Sequence, residues 1–180
     1  MTLKPETNRY HLGSIALHWA MLLLFIAVYG SIELRELFDK GSVPRETLKS
    51  LHFMLGLLVL GLVWLRLVLR LVYPAPAIEP APTAWQNLAA KLTHLALYAL
   101  MIGMPLLGWL VLSAAGKPIP FFGLELPALL GANKDLSHQL KEVHEFGGSL
   151  GYFLIAAHAG ASLFHHYIQR DNTLQRMLPR

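Results

Sequence analysis

Four apolar stretches divide the chain: about Ser14 to Leu34, Ser50 to Tyr73, Leu88 to Ala114 and Leu140 to Ile168. Each has the roughly 20 residues that a helix needs to cross a bilayer. All exceed strand length, and their Leu, Ala and Met content favours helix. The expected fold is all-α, an integral membrane four-helix bundle forming a single domain over residues 1–180. Pro105 lies inside the third stretch and is expected to kink it, because an interior proline removes a backbone hydrogen bond. Pro74 to Pro82 (PAPAIEPAP) reads as an extended linker, and Gly116 to Lys134 as a partly apolar loop along the membrane surface. The first 13 residues are polar and a full-length apolar stretch follows, so an uncleaved first span is expected.

Composition agrees with that pattern. Apolar residues make up 54% of the chain and charged residues 14%, against roughly 25% charged in a soluble domain. Cysteine is absent, which excludes disulfides, thiolate metal sites, iron–sulfur clusters and covalently attached haem. The pI near 9.5 does not point to nucleic acid, because the basic residues flank the spans instead of forming one patch. Four spans place both termini on one side. That side holds Lys4, Arg9, Arg66, Arg70, Lys91, Arg170, Arg176 and Arg180; the other holds Arg35, Lys40, Arg45, Lys49, Lys117, Lys134 and Lys141. The single extra cation leans toward cytoplasmic termini.

Nine histidines remain to be explained, and seven of them fall within the spans. A histidine inside a span is costly and marks a functional site by default. At 1.5 Å rise per residue, His18, His94, His158, His165 and His166 lie toward the terminus side, and His52 and His144 toward the other. Fourteen positions separate His144 from His158, which brings both to one helix stripe at depths about 21 Å apart. His52 can then meet His144, and His18 can meet His158. A lone histidine here would most simply be a buried residue hydrogen-bonded to a neighbouring helix. Four at paired heights match two bis-histidine b haems. Zinc or copper would need three or four ligands converging on one point. Pairing His94 with His158, with His18 left over, satisfies the spacing equally. Gly147, Gly148, Gly151 and the alanines around His158 would admit a flat macrocycle or a close helix. Arg66 and Arg70 follow His52 by 14 and 18 positions and face the same way, toward haem propionates if not snorkelling outward.

These residues carry a family resemblance. SIALHW around His18, SLHFMLGLLVLGLVWLRLVLRLVYPAP around His52, KLTHLALY around His94, and KEVHEFGGSLGYFLIAAHAGASLFHHYIQRDNTLQRMLPR resemble the bacterial di-haem cytochrome b(561) family, specifically its small superoxide-oxidising branch. The resemblance covers nearly the whole chain. It implies an inner-membrane oxidoreductase with two b haems, held by His18 with His158 and by His52 with His144. It further implies that electrons from superoxide at the periplasmic face pass through the haems to ubiquinone, with His94 and His165 at the quinone pocket. The alternative is a cytochrome b subunit linking a dehydrogenase or hydrogenase to the quinone pool, docked through the Gly116 to Lys134 loop.

Bis-histidine ligation leaves iron no open position and so favours electron transfer. Quinone reduction also needs protons, which histidine supplies near neutral pH. Superoxide is an anion, so its approach face should be locally positive. Arg35, Arg45, Lys49 and Lys117 are candidates for steering it, yet acids outnumber cations by one on that side. His11 and His138 read as ordinary loop residues.

Overall fold

The computed structural model describes residues 9–179. Residues 1–8, which include Lys4 and most of the polar leader, and Arg180 lie outside the described residues. Four helices dominate: α1 (Leu12–Leu34), α2 (Val43–Val72), α3 (Ala84–Ala114) and α4 (Lys134–Phe164). The chain forms a helical membrane bundle. By length and hydropathy α1, α2 and α3 qualify as spans among the described residues. At 31 residues α4 is equally long, but its first three turns carry Lys134, Asp135, Lys141, Glu142 and Glu145. Its uncharged part begins only at Phe146.

All four helices start earlier than their apolar stretches, α2, α3 and α4 by a turn or more, because the caps rather than the hydrophobicity mark the ends. At α3, Thr83 and Gln86 form a reciprocal capping box. At α4 the Asn133 side chain accepts the Leu136 N–H at 3.0 Å. At α2 a proline occupies the first turn, where its missing N–H costs nothing. Helix α3 runs through Pro105 without interruption. Residues 74–83 form the expected non-helical linker.

The 116–134 segment is not simply a surface loop. It contains an antiparallel hairpin, β1 (Ile119–Phe121) with β2 (Leu124–Leu126), in which Phe121 pairs with Leu124. The two-residue turn places Phe122 and Gly123 at φ 47° and 87°, the left-handed pair that a tight hairpin requires. Ile119 is buried against Leu57 and Leu112 and so anchors the hairpin to the bundle.

Helix α3 packs on α2 and α4, and α1 packs on α2. The larger core cluster joins Leu17 and Met21 of α1, Val59 and Val63 of α2 and Met101 of α3. Large apolar side chains such as Leu23, Ile26, Leu71, Leu95 and Phe153 face outward, as lipid contact permits. Helix α4 touches α1 mainly through long side chains: Tyr29 donates to the Gly148 carbonyl at 3.0 Å, and Tyr152 donates to Glu33 at 2.8 Å. The backbone of α4 packs on α3 and not closely on α1 or α2, and the His18–His158 and His52–His144 pairs lie between α4 and those two helices.

Candidate redox site in the bundle

The His18 and His158 rings stand 6.2 Å apart between centres, and the His52 and His144 rings 6.1 Å. The interplanar angles are 70° and 79°. A metal–imidazole nitrogen bond is about 2.0 Å, and with roughly 1.1 Å from nitrogen to ring centre, two imidazoles on one metal span about 6.2 Å. Both pairs have that span without being in contact. His94 faces His158 at 5.6 Å, about 0.6 Å short of it. Among the described residues no group of three or more His, Cys, Asp or Glu is arranged to hold a metal ion.

Neighbouring groups set the histidine nitrogens. His52 Nδ1 lies 3.0 Å from the Val28 carbonyl, so Nδ1–H donates to it and Nε2 is the nitrogen with a free lone pair. His144 Nδ1 is buried and makes no well-aligned hydrogen bond among the described residues, with the Met104 carbonyl as its backbone neighbour. Gly108 of α3 makes room for this ring: a Cβ there would lie 3.3 Å from His144 Cε1. Sequence reasoning missed Gly108, since its role depends on the register of α3 against α4.

Other glycines serve helix packing. A Cβ at Gly147 would meet Met104 Sδ at 2.6 Å, and one at Gly151 would collide with the Tyr29 hydroxyl and abut Leu100. The close-packing explanation therefore holds for these two positions.

Arg66 donates to His18 Nδ1 at 3.1 Å. As an acceptor there, His18 carries its proton on Nε2, so metal binding through Nε2 requires Arg66 to let go. Among the described residues Arg66 has no acidic partner. A half-buried guanidinium served only by an imidazole is short of an anion, and a propionate-bearing macrocycle edge meets that need. Arg70 is exposed near the end of α2. Histidine pairs of the right span, helices that are not closely packed where those pairs face one another and an under-partnered arginine are together a donor set that fits haem.

On the terminus side, His165 begins a π-turn (His165–Gln169) that ends α4. Its Nδ1 lies 2.5 Å from Asp171 Oδ2. Asp171 was not singled out from the sequence. Buried His166 Nδ1 has no partner among the described residues, and His11 caps α1 while stacking on Tyr73 at 3.8 Å. His138 is exposed beside Glu142.

On the opposite side the expected steering cations are largely spent. Arg45 donates to the Arg35 and Phe38 carbonyls and to both oxygens of Glu36, which also pairs with Arg35. Lys49 pairs with Glu46 at 2.8 Å. Lys117 makes no ion pair among the described residues and borders an open hollow of about 750 Å³ beneath the hairpin.

Comparison with known proteins adds an independent finding. The profile of the prokaryotic cytochrome b561 family matches residues 9–180. The chain is 43% identical over 173 residues to "Cytochrome b561 homolog 1" of Escherichia coli (strain K12), covering 96% of this chain and 98% of that one. It is 38% identical over 176 residues to "Probable superoxide oxidase CybB" of Yersinia pestis, covering 96% and 97%. "Cytochrome b561 homolog 2" of E. coli K12 is 34% identical over 193 residues, covering 99% and 95%.

Proposed function

Because the chain belongs to the prokaryotic cytochrome b561 family, a family of membrane b-type cytochromes, we propose that it is a superoxide:quinone oxidoreductase. It takes one electron from each of two superoxide ions and delivers both to ubiquinone, which becomes quinol with two protons. It sits in the bacterial inner membrane with both termini in the cytoplasm.

The observation that carries the reading is the pair of 6.1–6.2 Å histidine spans at two depths of one bundle. Two b haems, when bound, supply one-electron carriers that link the two faces. His52 and His144 would hold the haem nearer the hairpin, and His18 and His158 the other. The 5.6 Å approach of His94 to His158 supports His18 as the ligand over the competing pairing. His52 is oriented by Val28, and Arg66 would turn from His18 to a propionate. His94, beside His158, and His165, at the end of the same helix, would bind the quinone head group and supply its protons.

Lys117 is the best-placed cation for attracting superoxide, since Arg35 and Arg45 share Glu36 and Lys49 pairs with Glu46, while Lys117 makes no ion pair among the described residues. The relative named as a probable superoxide oxidase supports that donor. The test is steady-state superoxide consumption by purified, haem-loaded protein. Consumption that depends on added ubiquinone and yields one quinol per two superoxide ions is expected. Consumption indifferent to quinone, or none at all, contradicts the proposal.

A further inference from the structure

After the π-turn, Arg170 adopts the left-handed conformation (φ 57°), and the Asp171 N–H returns to the His165 carbonyl at 3.2 Å. This reversal brings the Asp171 carboxylate back onto the His165 ring. Asp171 is only 5% exposed, and its second oxygen accepts the Thr173 N–H at 2.8 Å. A clasp fixes the tail beyond it. Asn172 exchanges two hydrogen bonds with the Glu79 backbone, Arg176 donates to the Pro76 carbonyl, and Trp19, beside His18, donates to the Met177 carbonyl at 2.7 Å. The carboxylate is thus built in and aimed at one nitrogen of one histidine.

We propose that Asp171 is a positioning residue for His165, holding Nδ1–H toward its carboxylate so that Nε2 is the nitrogen that hands protons to the quinone. This rests on the quinone-reducing reading above. The imidazolium form of His165 gives its Nε2 proton to a quinone oxygen and keeps Nδ1–H on Asp171. It regains a proton at Nε2 from terminus-side water before the second transfer. Two protons and the two electrons from two superoxide ions then complete the quinol.

The test reduces haem-loaded protein anaerobically with dithionite, mixes it with a short-chain ubiquinone and follows haem reoxidation. Asp171→Asn should keep both haem bands and slow reoxidation about tenfold or more, because an asparagine no longer favours the Nδ1–H tautomer. The quinone concentration giving half the maximal rate should hardly change. His165→Ala should be at least as slow, and Asn172→Ala, which loosens the clasp but spares the carboxylate, should match the wild type. A wild-type rate in D171N beside a slow H165A overturns the role of Asp171 and leaves the quinone reading standing. A wild-type rate in H165A overturns that reading and this inference with it. Equal slowing in N172A and D171N assigns the effect to tail packing and also overturns the inference. If D171N loads no haem, Asp171→Glu decides: haem retention with reoxidation severalfold faster than H165A supports the role, and a rate equal to H165A refutes it.

Discussion

Gly108 offers a sharp test of the site because it touches a proposed ligand without being one. A Cβ at this position would stand 3.3 Å from His144 Cε1, tighter than nine in ten real Cβ contacts. Gly108→Ala therefore asks the ring to yield a few tenths of an ångström. Gly108→Val extends methyl groups about 1.5 Å further, which moves the ring by an ångström or more. The His52–His144 span of 6.1 Å has little slack, since metal–ligand distances tolerate only about ±0.2 Å. G108V should lose one haem of two and G108A should keep both. The assay is haem extracted per chain together with the reduced-minus-oxidised spectrum, and the band lost should be the one lost in H144A. Two haems and an unshifted spectrum in G108V would refute the placement of His144 as a ligand.

Further outcomes follow from the same geometry. His52→Ala and His144→Ala should remove one and the same haem, and His18→Ala and His158→Ala the other; spectra of the four variants check the pairing. Gly151→Leu should overpack α4 against Tyr29 and Leu100 and destabilise the bundle by about 1–3 kcal/mol, read from thermal unfolding in detergent. Burial pushes the Asp171 carboxyl up, but hydrogen bonds from His165 and the Thr173 backbone outweigh it and hold it below the ordinary value. A depressed carboxyl pKa stabilises the folded tail above the unfolded value near 3.9, and that contribution is lost as pH falls through the lower folded value. Hydrogen-exchange protection over residues 171–177 should therefore persist from neutral pH to about 5 and weaken below about 4.

Much of the bundle was legible because membrane spans obey few rules. Length and hydropathy located the helices to within several residues. The 14-position interval from His144 to His158 was enough to separate two depths, but it left His18 and His94 as equal candidates to face His158. The helix starts were less visible, since α3 begins at a Thr83–Gln86 capping box in polar sequence. The hairpin hid because its strands have three residues each and its turn uses Phe122-Gly123 in place of Asn-Gly. Gly108 and Asp171 depend on tertiary geometry: one on helix register, the other on a chain reversal at a left-handed arginine. The ion pairs of the steering candidates were not legible either, because a count of charges does not reveal that Glu36 engages Arg35 and Arg45 together.

The superoxide step is the heart of the account, and stopped-flow mixing examines it without a quinone present. Oxidised, haem-loaded protein mixed with superoxide should show the b-type reduced bands rising within the lifetime of the superoxide, with both haems reduced. Haems that stay oxidised under superoxide, yet are reduced by dithionite and reoxidised by quinone, would contradict the account and assign the chain to a partner dehydrogenase or hydrogenase.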